Sequence, residues 1–194
     1  MNTLAKTEST PQAPAGSAVA VAGAAAAPVE QKQYLTFMLG GEMFSIGILC
    51  IREIIWYSNL TEVPMMPACI RGVINLRGAV VPVMDLSNRF GKPSTPVTKS
   101  SCIIIVEVGA QNEGERQSMG VVVDSVQAVL EIAAGDIEPP PSFGAKIRSD
   151  FIEGIGKVAG KFVILLNVNN VLSMQEIGEM GQAAAAATDV AVVG

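Results

Sequence analysis

Residues 34–48 read Tyr-Leu-Thr-Phe-Met-Leu-Gly-Gly-Glu-Met-Phe-Ser-Ile-Gly-Ile. Leu35, Phe37 and Leu39 fall on one side of an extended chain, and Phe44, Ile46 and Ile48 do the same after the break. Successive side chains of a strand point to opposite faces, so a period of two marks a half-buried strand. Gly40-Gly41 between the runs supplies the positive φ values that a two-residue turn needs. The segment reads as a β-hairpin.

The rest of the chain follows the same pattern. Ile51–Trp56 continues as a strand, bounded by Ser58-Asn59, and Pro64 and Pro67 frame a short irregular or single-turn stretch. Val73–Leu76 and Val80–Leu86 read as two strands turning at Arg77-Gly78. Pro82 has no N–H for a ladder and belongs at an edge or a bulge. The polar stretch Ser87–Ser101 separates a second set. In it, Cys102–Val108 is apolar throughout, Gly109–Ser118 is a charged loop, and Met119–Asp124 and Val126–Ile132 follow. Pro139-Pro140-Pro141 interrupts helix and sheet alike. Phe151–Val158 and Lys161–Val168 form a hairpin about Ala159-Gly160, and Asn169 is placed to cap a last short helix, Val171–Ile177, stopped by Gly178. The sum is about ten strands in two groups, an all-β fold built as two small barrels or one sandwich. A faint likeness between FMLGGEMFSIGI (37–48) and VEVGAQNEGERQSMGVVV (106–123) is compatible with two similar barrels.

The ends differ in kind. Residues 1–31 are mostly Ala, Pro, Thr, Ser and Gln, with prolines at 11, 14 and 28. They offer little to bury and are expected to be a disordered tail, as are residues 179–194. Ser17–Ala27 (SAVAVAGAAAA) lacks the Leu, Ile and Phe of a signal-peptide core and has no basic segment before it, so it reads as a linker. The folded domain is expected over 32–178. No run is apolar enough over about 18 residues to span a bilayer as a helix.

Composition excludes several chemistries. The net charge is −5, from 13 basic and 18 acidic side chains, which disfavours nucleic acid and anionic membranes as partners. With 1 Trp and 2 Tyr, the chain has few platforms on which bases could stack. The chain has 0 histidines, so it has no Ser-His-Asp or Cys-His arrangement and lacks the commonest nitrogen ligand for zinc. Cys50, Cys69 and Cys102 are far apart in apolar surroundings and read as small buried hydrophobes, not as a metal or redox site. Gly154–Lys161 invites a phosphate-loop reading, but Ile155 stands where the first glycine is needed and Phe162 where Ser or Thr is needed. The carboxylates at 53, 62, 85, 107, 124, 131, 136 and 150 are scattered, without EF-hand or paired spacing. No cofactor, metal or catalytic group is expected.

The segment Ile70–Leu86 (IRGVINLRGAVVPVMDL) stands apart, with polar residues at fixed places in apolar strands. Asn75 and Gly78 suit a turn. Arg77 can reach a neighbouring strand, where Glu53 is an obvious partner. The pair is either an ordinary surface salt bridge, worth roughly 0–1 kcal/mol, or part of a binding surface.

The run Gly-x-x-Asn-Leu-Arg-Gly-x-x-x-Pro-x-x-Asp-Leu at 72–86 resembles the signature of the CheW family. Gly47–Ile55, Gly120–Val126, Ile137–Pro141 and Phe151–Gly156 also resemble that family's landmarks, in order, over residues 33–174. The resemblance implies two five-stranded SH3-like barrels packed about an apolar seam, with a short C-terminal helix. It implies a non-enzymatic cytoplasmic adaptor that couples transmembrane chemoreceptors to the histidine kinase CheA at receptor arrays. The expected partners are the receptors' cytoplasmic helical-hairpin tips and the kinase's regulatory domain. A related chemosensory pathway, serving pilus motility or development, is the alternative. The resemblance places Ile51, Glu53, Arg77 and Val129 on the receptor side. It places Leu60, Thr61, Glu138 and Phe143 on the kinase side, with an acidic Glu138 where the family often has a basic residue.

Overall fold

The computed structural model describes residues 31–109, 116–140, 147–173 and 175–178. Apart from Gln31, which the structure places in the first strand, the expected tails lie outside these residues, as do most of the Gly109–Ser118 loop and Phe143. The strands are β1 (Gln31–Leu39), β2 (Glu42–Gly47), β3 (Ile51–Trp56), β4 (Ile70–Leu76), β5 (Ala79–Asp85), β6 (Cys102–Gly109), β7 (Arg116–Val123), β8 (Ser125–Ala133), β9 (Ile137–Glu138), β10 (Ile152–Val158) and β11 (Lys161–Leu166). One-turn helices α1 (Leu86–Arg89) and α2 (Val168–Val171) follow β5 and β11. The fold is all-β, as expected.

Two sheets form, ordered β8-β1-β2-β11-β10-β9 and β3-β6-β7-β5-β4. Each curls until its outer strands meet. In the first, β8 and β9 are separated by Ala134–Asp136 alone. In the second, Thr61, beyond β3, exchanges backbone hydrogen bonds of 2.9 Å in both directions with Val73 of β4. β5 is an inner strand, yet its pairing with β7 begins only at Val83, so Pro82 sits where no β7 partner needs its N–H.

The expected grouping of strands by chain order needs correction. β1–β2 belongs to one barrel with β8–β11, whereas β3–β5 joins β6–β7 in the other. Each half of the chain therefore gives its first hairpin to one barrel and its next strands to the other. The two halves repeat without a gap: residues 69–90 (CIRGVINLRGAVVPVMDLSNRF) match 151–172 (FIEGIGKVAGKFVILLNVNNVL). Both hairpins turn through a left-handed pair, with φ of 53° and 91° at Arg77-Gly78 and 48° and 77° at Ala159-Gly160. Both have a bulge beside a glycine, and both end in a capped turn, Asp85 for α1 and Asn167 for α2. The expected cap, Asn169, lies inside α2, because the repeat places the capping side chain two residues earlier.

The largest apolar cluster lies between the barrels, not inside one. Leu35, Phe37 and Leu39 of β1 and Phe44 and Ile46 of β2 pack with Ile104, Val106 and Val121. Smaller clusters fill each barrel: Ile74, Val81, Val83, Ile103, Ile105 and Val122 in one, and Tyr34, Ile132 and Leu165 in the other. At about 25 cal/mol per Å² of apolar surface, the shared seam is the main force uniting the barrels. Arg89 adds a polar tie. Its Nε donates to the carbonyl of Val171, its own counterpart in the repeat, at 2.9 Å, and Nη2 donates to Glu176 at 2.7 Å. Arg89 and Arg148 lie on Phe151, 4.7 and 4.5 Å from the ring centre. The bond from Arg89, and then those from Arg148, hold the Glu176 carboxyl below its usual range.

Gly72 is the point of closure. Its φ is 148°, and a Cβ there would lie 2.5 Å from the Thr61 carbonyl oxygen. Gly72→Ala is expected to cost about 1–3 kcal/mol, read as an earlier urea midpoint, because strain and a backbone clash add. An unchanged midpoint would show that the Thr61 bridge yields freely.

Candidate functional site

β3 and β8 are the first strands after each half crosses from one barrel to the other, and each is an outer strand of its sheet. Between them runs a shallow groove of about 350 Å³, lined by Ile54, Ile55, Trp56, Ser100, Cys102, Ser125 and Val126. Residues directly opposite in an antiparallel pair share a face. On β3, Ile51, Ile54 and Trp56 oppose Val106, Ile104 and Cys102, all members of the seam core. Glu53 and Ile55 oppose Ile105 and Ile103, which fill the second barrel. A bulge between Ile51 and Glu53 brings Ile51 and Ile54 to one face despite their spacing.

β8 mirrors this wall. Val126 and Val129 oppose the seam residues Phe37 and Leu35, whereas Leu130 opposes Tyr34 of the first barrel's interior. Its bulge sets Gln127 and Ala128 against Thr36, whose buried hydroxyl donates to the Ala128 carbonyl at 2.8 Å and accepts its N–H at 3.2 Å. The groove thus exposes the edge of the seam core as two apolar stripes, with Trp56 71% exposed at one end.

Four receptor-side candidates were expected. Ile51 and Val129 lie on the seam-facing stripes of opposite walls. Glu53 and Arg77 are ion-paired at 3.0 Å, but they face the interior side of β3, across that strand from the stripe. The pair links β3, one outer strand of the second sheet, to the turn that ends β4, the other. Arg77 is 76% exposed and Glu53 20%, so solvent screens the pair. Oε2 of Glu53 takes the guanidinium, while Oε1 is buried and accepts no hydrogen bond from the described residues.

The kinase-side candidates Leu60, Thr61 and Glu138 fall on equivalent ends of the two barrels. Thr61 bridges Val73, and Glu138 pairs with Ile155, the residue that repeats Val73. Leu60 is half-buried and packs against the second barrel's core, and Glu138 is exposed. Beside Leu60 a polar concavity of about 360 Å³ is lined by Tyr57, Asn59, Glu62 and Arg71.

Ile54, Trp56 and Val126 were not singled out in the sequence. The signal was the unbroken apolar run at the end of IREIIW, whose facing only the bulge decides. Cys69 and Cys102 are buried, Cys50 is half-buried, and burial pushes all three thiols up. Among the described residues, no three His, Cys, Asp or Glu side chains converge as a metal site, and no helix is long and apolar enough to cross a membrane.

Comparison with known proteins matches residues 33–176 to the CheW-like domain. The chain is 32% identical over 146 residues to chemotaxis protein CheW of Klebsiella aerogenes, covering 75% of this chain and 84% of that protein. It is 28% identical over 144 residues to protein FrzA of Myxococcus xanthus, covering 73% and 86%. Among solved structures, it resembles the scaffolding protein TtCheW from Thermoanaerobacter tengcongensis, with a TM-score of 0.66 at 35% identity, covering 74% of this chain and 89% of that one.

Proposed function

The chain belongs to the CheW-like family, and from that premise we propose that it is a non-enzymatic adaptor coupling chemoreceptors to a CheA-type histidine kinase. The observation that carries the reading is the seam groove, with its uncharged lining and two apolar stripes. An amphipathic helix fits such a surface by laying its apolar face between the walls. The helical-hairpin tip of a receptor is that partner, with Ile51 and Val129 in contact and Glu53 and Arg77 bracing β3 from behind.

The two barrel ends then take the kinase. Leu60 and Thr61 form one contact. Glu138, with Phe143, forms the second, and its carboxylate calls for a basic partner residue. Receptor and kinase sites are separate, so a receptor state that binds the groove differently alters the kinase through differential contacts. The adaptor works in the cytoplasm, at the receptor array on the inner face of the membrane.

Isothermal calorimetry with the regulatory domain of the kinase from the same genome tests the reading. Micromolar or tighter binding is expected, and no binding would sink it. Arg77→Asp is expected to weaken receptor coupling and leave kinase binding intact. Its melting temperature should move little: an exposed pair contributes about 0–1 kcal/mol, and Asp tolerates the left-handed turn position better than Arg. Equal loss of both interactions with a lower melting temperature would make Arg77 purely structural.

A further inference from the structure

Among the described residues, the methionines differ sharply in exposure. Met84 and Met119 are fully buried, Met38 and Met43 are half-buried, Met66 is 38% exposed and Met65 is 95% exposed. Met65 also has a φ of 63°, a region that an ordinary L side chain enters only at a cost. It lies in Val63-Pro64-Met65-Met66-Pro67, between two pinned points. Thr61 is bonded to Val73, and the Pro67 carbonyl accepts the Ile70 N–H at 2.8 Å.

Burial of its own side chain does not account for that conformation, because the thioether stands in solvent. Val63 and Met66 add exposed apolar surface beside it. Pro64-Met65 forms a turn whose second residue takes φ > 0, and that turn holds the apolar group outward. The turn shares the β3–β4 connection with Leu60 and Thr61.

We propose that Met65 is a modification site whose oxidation to methionine sulfoxide switches off docking of a protein partner on the β3–β4 connection. The co-reactant is a peroxide. With hydrogen peroxide, the Sδ lone pair attacks one oxygen, an S–O bond forms and the O–O bond breaks. The second oxygen leaves as water carrying both hydrogens. Sulfur is oxidised by two electrons and the peroxide is reduced. A flexible apolar tip becomes a strongly polar one, unsuited to a desolvated contact. The identity of the partner, a kinase regulatory domain, rests on the coupling reading.

Full-length protein exposed to graded hydrogen peroxide and mapped by peptide mass spectrometry tests the site. Among the described methionines, Met65 is expected to gain oxygen first and Met66 more slowly, with Met84 and Met119 unmodified while the fold persists. Equal rates at Met65 and Met84 would overturn the site. Binding to the kinase regulatory domain tests the switch. The Met65 sulfoxide is expected to bind about tenfold more weakly. Met65→Leu should bind like the reduced protein and keep its binding after peroxide. Met65→Gly relieves the strain, so it should melt at a higher temperature yet bind more weakly, an outcome no purely structural role yields. If the reduced protein binds no kinase domain, the switch falls together with the coupling reading. Binding that survives oxidation of Met65 overturns the switch alone.

Discussion

Asp85→Ala is expected to lower stability by about 3–5 kcal/mol, the cost of leaving a buried charge network without one of its members. Asp85 is wholly buried. Its carboxylate accepts the N–H of Ser87 at 3.0 Å, of Asn88 at 3.4 Å and of Thr95 at 2.9 Å, and the Thr95 hydroxyl at 2.9 Å. Arg71 Nε lies 3.1 Å away and is itself mostly buried. Removal strands the guanidinium with the Thr95 carbonyl, opens the cap of α1 and releases the chain beyond it. A thermal midpoint lower by about 10 °C is the readout. The other barrel supplies an internal control. Asn167 takes the place of Asp85 in the repeat and Glu153 that of Arg71, so a neutral cap suffices where no arginine needs a counter-charge. Asp85→Asn should therefore keep the cap and lose the ion pair, with roughly half the cost. An Asn variant as stable as the parent would show that the ion pair contributes nothing.

The repeat explains what was legible. Strand identity was, because alternation and glycine turns are local: β3 was read with its observed ends, and both left-handed turns were placed on the correct residue pairs. Strand partnership was not. Whether β3 returns to β2 or crosses to β6 depends on which apolar faces meet in the seam, and no window of sequence holds both partners. The repeat itself was hidden because its two copies share turn, cap and bulge chemistry more than residue identity. Gly72 and Gly154 recur for one reason: each lets the closing strand approach, and a Cβ at Gly154 would meet Ile137 Cγ2 at 2.5 Å.

The site was only partly legible. Glu53 and Arg77 pair as the sequence suggested, because the long guanidinium at the β4–β5 turn reaches Glu53 despite the bulge that precedes it. The groove was not legible. Its walls bear bulges, and a bulge moves the next side chain to the other face. Simple alternation from Ile51 puts Glu53 on the groove and Ile54 behind it. The observed register reverses that. Glu53 therefore lies on the barrel side of β3 and Ile54 on the seam side.

That reversal gives the largest functional effect. Ile54→Asp is expected to weaken receptor binding at least about 100-fold, whereas Glu53→Ala should weaken it far less. Ile54 is 42% exposed in the free protein, so a carboxylate there stays hydrated and folding loses little. In the complex the same carboxylate is covered by an apolar helix face with no cation among the groove-lining residues. The cost of an unpaired buried charge, several kcal/mol, then falls on binding alone. Kinase binding at the barrel ends should be unaffected, since Ile54 lines the seam groove and belongs neither to the concavity beside Leu60 nor to the β9 pairing. Calorimetry with a receptor tip peptide and, separately, with the kinase regulatory domain reads both arms. Trp56→Ala on the same stripe removes contact area without adding charge, so it should fall between the two. If Glu53→Ala proves the more damaging, the partner sits on the barrel side of β3, with the Glu53–Arg77 pair as its contact. The groove between β3 and β8 would then be only the open edge of the seam.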